Sequence, residues 1–143
     1  MLGKYECAMR PGPVSAVQYL GVRALGDADA GGREMTPAEF AAAIGEVESG
    51  DNPDSWGDEG RAMGRYQLHP DWLWEWASRL GIAPHLNERW DDWAARIVEA
   101  FFVRWAAVML PVEVAMFFHE GHVIKAGAAG WDSKYAERFT LAS

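Results

Sequence analysis

Residues 36 to 70 read TPAEFAAAIGEVESGDNPDSWGDEGRAMGRYQLHP, and where the helical part of this stretch ends decides the fold. Thr36, Pro37 and Glu39 make a helix-start signature. The threonine hydroxyl can accept the first free amides, proline sits where no amide is needed, and the glutamate can reach back to the cap. Phe40, Ile44 and Val47 then recur at i, i+4 and i+7, which places them on one face. Gly50 tolerates the left-handed backbone that closes a helix, and Asn52-Pro53 cannot continue it. The reading is a helix with Glu48 in its last turn, followed by an irregular acidic loop.

Working outward, Pro70 opens a second helix carrying Leu73, Trp76, Ala77 and Leu80, which Gly81 closes. Asn87 is predicted to cap a third helix with a buried stripe of Trp90, Trp93, Ala94, Ile97, Phe101, Arg104 and Val108, interrupted at Pro111. Residues 111 to 119 fit a fourth, stopped by Gly121, and a last helix follows Asp132 or Ser133 through Tyr135 and Phe139. Sustained period-two alternation is missing, so strands are confined to a short hairpin within 51 to 68. The predicted class is mainly α.

The first 35 residues differ. Pro11 and Pro13 break the start, Val14 to Leu25 can form one helix, and GDADAGG at 26 to 32 is a connector. Asp27 and Asp29 have calcium-loop spacing, but Gly31 stands where a third acid belongs, so no calcium site is expected. This gives an extension, 1–35, and one domain, 36–143.

Composition narrows the classes further. A chain of 143 residues, half of them apolar, can bury a sizeable core. Thirteen basic against 21 acidic residues leave a net charge of −8, which argues against a phosphate backbone as partner. Cys7 alone cannot form an internal disulfide. No run of apolar residues reaches membrane-spanning length, and MLGKYECAMRPGP lacks the apolar stretch of a secretory signal. Most of the eight tryptophans are read as core anchors, with one or two left to line a groove.

The loop acids are not equivalent. On a helical wheel Glu48 falls at the edge of the Phe40, Ile44 and Val47 face, whereas Glu46 points away. Apolar surroundings and a helix C-terminus both disfavour a charged carboxyl, which suits a proton donor. Asp51, Asp54 and Glu59 read as solvated loop acids. Asp58 lies between Gly57 and the turn from Gly60 to Gly64, where the backbone can fold back towards Glu48. It is the best-placed second carboxylate for glycosidic chemistry, which needs an acid and a base, nucleophile or charge stabiliser. His119, Glu120 and His122 do not have metalloprotease spacing, because the histidines lie at i and i+3 with Gly121 between. They are read as polar groove lining, without a metal.

These residues resemble a family. ESG at Glu48 to Gly50, followed by GRAMGRYQLHP from Gly60 to Pro70, is similar to the E-S and G-A-x-G-L-M-Q-x-x-P blocks of soluble lytic transglycosylases and goose-type lysozymes. FHEGH at Phe118 to His122 lies where those enzymes carry Y-N-A-G or where invertebrate-type lysozymes carry H-N-G-G, and Tyr135 with Arg138 matches a late Y-x-x-R. The likeness runs in order over about residues 38 to 139. It implies a lysozyme-like helical domain that cleaves the β-1,4 bond between N-acetylmuramic acid and N-acetylglucosamine in peptidoglycan, with no cofactor. By the same resemblance Glu48 is the catalytic glutamate, Ser49 the structural serine and Gln67 a groove residue. Asp58 corresponds to the second acid of invertebrate-type lysozymes. Tyr66, His119, Glu120 and Tyr135 complete the expected substrate contacts. Glu120, His122 and the Arg65-Tyr66 pair depart from the family pattern.

Three alternatives stand beside this reading: hydrolysis against anhydro-forming transglycosylation, a chitin- or chitosan-cleaving enzyme of the same fold, and a non-catalytic glycan-binding or virion-assembly module. The acidic balance and the start of the chain point to delivery by another route, as a bacteriophage lysin or virion-associated enzyme uses.

Overall fold

The computed structural model describes residues 34–143. The expected helix at 14–25 and the connector at 26–32 lie outside the described residues. The rest is mainly helical: α1 (Pro37–Ser49), a two-stranded hairpin of β1 (Trp56–Gly57) and β2 (Ala62–Met63) around a short 3-10 turn (Asp58–Gly60), α2 (Pro70–Leu80), α3 (Trp90–Ala106), α4 (Pro111–Glu120) and α5 (Ser133–Ala142).

The start and end of α1 follow the sequence directly. Thr36 Oγ1 accepts from the Glu39 amide at 3.1 Å, Glu39 Oε1 accepts from the Thr36 amide at 2.9 Å, and Gly50 closes the helix at φ 69°. Phe40 and Ile44 are fully buried on its inner face. That face lies against α3 and α5, with the Phe40 ring stacked on Phe102 at 4.6 Å and tilted against Phe139 at 5.6 Å. Burying side chains of this size stabilises by roughly 1.5–3 kcal/mol each, so α1 is fixed mainly by α3 and α5, less by its own propensity.

A second aromatic cluster joins α2, α3 and α4. Trp76 meets Phe101 edge-on at 4.9 Å, Trp72 meets Phe118 at 5.0 Å, and Trp105 meets Phe117 at 5.3 Å. Trp72, Trp76, Trp93 and Trp105 are buried, as expected of core anchors, whereas Trp56 and Trp74 are exposed.

Two details differ from the sequence reading. Asn87 does not cap α3. It takes the left-handed conformation, φ 64°, inside a turn in which the Glu88 amide donates to the His85 carbonyl. The helix begins at Trp90 with Arg89 at its cap and no side-chain bond there. Glu88 instead accepts from the His85 amide and from Arg96, which holds its carboxyl down at about 2, chiefly through the Arg96 bond. Along α3, Arg104 is exposed and Trp105 takes the buried place.

The hairpin pairs Trp56 with Met63 and Gly57 with Ala62, inside the segment where a hairpin was expected. Its base is tied to α1 by Ser49, whose Oγ donates to the Arg65 carbonyl at 2.7 Å and accepts from the Asn52 amide at 2.9 Å. Asp91 on α3 holds the same base, accepting from the Arg65 amide at 2.9 Å and pairing with its guanidinium.

Candidate active site

A cleft of about 260 Å³ opens between the hairpin and the helices, lined by Glu48, Asp58, Gln67, His69, Trp72, Phe118 and His119 among others. Among the described residues its acidic lining comes from two elements. Glu48 belongs to the helical wall, and Asp58 to the hairpin wall.

Three helix ends place the Glu48 carboxylate and the groups that touch it. Glu48 is in the last turn of α1, and its carboxylate is mostly buried. His119 is in the last turn of α4, which Gly121 closes at φ 86°. Tyr135 is in the first turn of α5, placed by the Asp132 cap, whose Oδ1 accepts from the Tyr135 amide at 3.0 Å. The Tyr135 hydroxyl donates to Glu48 Oε2 at 2.9 Å, and His119 Nδ1 lies 3.5 Å from the same oxygen. The His119 ring stacks on Tyr135 with centroids 3.8 Å apart and an interplanar angle of 11°. Burial, and then the Glu48 charge beside it, push the Tyr135 phenol well above its ordinary range. It therefore stays protonated and remains a donor to Glu48.

The hairpin wall is more open. Asp58 Oδ2 is 2.8 Å from Nε2 of His69, and Oδ1 is 3.6 Å from the Arg61 guanidinium; half of the Asp58 side chain is accessible to solvent. His69 itself is buried, at the residue before α2. Asp58, Glu59 and Gln67 all have positive φ, of 52°, 58° and 51°. Such backbone is uncommon for residues with a Cβ and costs of order 1–3 kcal/mol each. Of these three Asp58 and Gln67 line the cleft, whereas Asp51 and Asn87, also at positive φ, lie outside it.

Gln67 lines the cleft, but its side-chain amide is used to brace the hairpin, donating to the Ser55 carbonyl at 3.2 Å and the Gly64 carbonyl at 2.9 Å. Its Oε1 lies so close over Gly57 that a Cβ there would collide with it. Ser49 joins α1 to the hairpin base without lining the cleft. Tyr66 is buried, and its phenol is raised chiefly by that burial. Glu120 lies beside His119, with Oε2 3.6 Å from Nε2. His122 is exposed.

Two residues that the sequence reading passed over belong to this region: His69, which holds Asp58, and Asp132, whose Oδ2 lies 3.7 Å from His119 Nε2. The first had a signal, since a histidine just before the proline that starts a helix must sit near the loop preceding it. The second had none as a site residue, because a helix-capping aspartate looks the same whether or not its second oxygen has a use. A separate hollow of about 220 Å³ has Trp56, Trp90 and Arg89 among its lining residues.

No protein-family model, curated protein or solved structure matches this chain. Among the described residues no helix is long and apolar enough to cross a membrane.

Proposed function

We propose that this chain is a glycosidase that cleaves peptidoglycan at the β-1,4 bond following N-acetylmuramic acid, with Glu48 as general acid. The observation that supports this best is the presence of Glu48 and Asp58 in one cleft, each held by a different partner from a different element. Glycoside cleavage calls for two carboxyl groups with separate roles, and here their surroundings differ.

In this mechanism Glu48 Oε2 is held by Tyr135 and faced by His119, which leaves Oε1 to carry the proton. That proton passes to the glycosidic oxygen as its bond to C1 lengthens, and the leaving sugar departs as an alcohol. Asp58, more solvated and set by His69, stabilises the positive charge that develops on the ring or activates the water that attacks it. Its presence in the cleft favours hydrolysis over anhydro formation, which needs no second acid. The lysozyme-like identity of the fold belongs to this same proposal. It is supported by the order of helix, glycine-rich hairpin and late tyrosine around Glu48.

Clearing of purified cell walls by wild type and by Glu48→Gln tests the assignment. The variant is expected to lose clearing while its thermal unfolding stays nearly unchanged, and retained clearing would sink the proposal. A panel of chitin and chitosan oligomers run alongside separates the neighbouring substrate classes.

A further inference from the structure

Behind the Glu48 carboxylate lies a second constellation, made of His119, Glu120 and Asp132. Its donor atoms, one from each residue, all lie within 4.8 Å of one another. The His119 Nε2 atom is 3.6 Å from Glu120 Oε2 and 3.7 Å from Asp132 Oδ2. We propose that these three side chains form a binding site for one first-row divalent cation of the zinc type, taken up through one imidazole nitrogen and two carboxylate oxygens.

Four features carry this assignment. Tetrahedral bonds of about 2.0–2.1 Å set neighbouring donor atoms roughly 3.4 Å apart, so the two separations from Nε2 need to close by only a few tenths of an ångström, and that between the carboxylates, within 4.8 Å, by no more than about 1.4 Å. The Nε2 atom is aimed by its surroundings: stacking on Tyr135 fixes the ring plane, and Nδ1 on the far side faces Glu48 at 3.5 Å. A metal-binding histidine commonly directs its other ring nitrogen at a carboxylate, which fixes the tautomer. The Asp132 carboxylate is already split between two tasks, because Oδ1 caps α5 and only Oδ2 turns towards His119. Finally, His119 and Glu120 end α4, where the unpaired carbonyls of the last turn favour a cation.

Donor chemistry selects the ion. One borderline nitrogen and two hard oxygens suit zinc, cobalt or manganese better than calcium or magnesium, which take oxygens alone. Two carboxylates balance the double positive charge. All three side chains are about one-third accessible, so a fourth position remains for water.

The test uses the untagged full-length chain, freed of metal, titrated with Zn²⁺ by calorimetry and with Co²⁺ by its visible absorption. Asp132→Asn keeps an oxygen for the helix cap, since asparagine caps as well as aspartate, and removes the charge; Glu120→Gln is the second variant. Wild type is expected to bind one Zn²⁺ that Co²⁺ displaces only in excess, and each variant to bind more than about tenfold more weakly. Unchanged melting of both variants in chelator shows that the fold is intact. No Zn²⁺ uptake by wild type, or uptake equal in wild type and both variants, overturns the site. Because the readout is binding alone, it stands apart from the glycosidase reading.

Discussion

The two walls of the cleft hold their carboxylates in different ways. Glu48 is anchored by a buried phenol and a stacked imidazole, both supplied by helix ends that pack into the main core. Asp58 sits on a two-residue-per-strand hairpin with positive φ, half open to water, and leans on one buried histidine. One wall is made stiff by packing, and the other by a few hydrogen bonds across a strained turn. The difference teaches that a single cleft can hold one carboxyl shielded by distant helix ends and another that stays solvated, set by His69 and by Arg61 three residues away.

That contrast can be broken experimentally, and Glu48 gives the largest expected effect. Its replacement by glutamine should cost about 10²–10⁴ in cell-wall cleavage, the range typical of a general acid. Asp58→Asn should cost less, of the order of 10-fold to 10²-fold, if its role is charge stabilisation shared with solvent. Initial rates on one purified wall preparation decide between them, and a larger loss at Asp58 would reverse the roles of the walls.

Tyr135→Phe sharpens the same comparison, because it keeps the ring under His119 and removes only the hydroxyl that touches Glu48. A hydrogen bond to a charged group contributes about 1.5–3 kcal/mol. The melting temperature should therefore fall by several degrees, and the rate should drop while substrate affinity changes little. The opposite split, affinity lost and rate kept, would make Tyr135 a sugar contact instead.

Alkaline pH should weaken the packing around both buried phenols. Tyr135 and Tyr66 both ionise at higher pH folded than unfolded, because of burial. Their contribution is complete below about pH 10, the unfolded value, and is lost as pH rises towards their folded values. Thermal melts between pH 8 and 11 should show a decline that is shallower in Tyr135→Phe; an identical slope would contradict the account.

The smallest effect is expected far from the cleft. Glu88 is held at about 2, so its stabilising contribution is present above its ordinary value near 4.5 and fades as pH falls towards 2. Glu88→Gln should flatten this acid limb without changing cleavage. An unchanged acid limb would show that the Arg96 pair contributes nothing measurable.

The parts of this molecule that were readable in advance are those set by local chemistry. Thr36, Gly50, Gly81, Gly121 and Asp132 mark helix ends because capping depends on the residue itself and on partners three or four positions away. Helical phase put Glu48 at the edge of the apolar face of α1, and its side chain is mostly buried there. Asn87 misled because its side chain suits a cap and a left-handed turn equally, and the His85–Glu88 turn decided the matter. Arg104 misled because the i+4 step from Ile97 to Phe101 continues to Trp105, which packs against Phe117 and leaves Arg104 facing out. Contacts such as Tyr135 to Glu48, 87 residues apart, depend on how helices pack and leave no mark on either residue's surroundings in the chain.

The most direct test of the central claim is mass spectrometry of soluble fragments released from purified peptidoglycan by the wild-type chain. Two carboxylates working across one cleft predict glycan fragments ending in a reducing N-acetylmuramic acid, and none from Glu48→Gln. Fragments lighter by one water would contradict the role given to Asp58. If wild-type protein at high concentration releases no glycan fragments, the glycosidase account is contradicted.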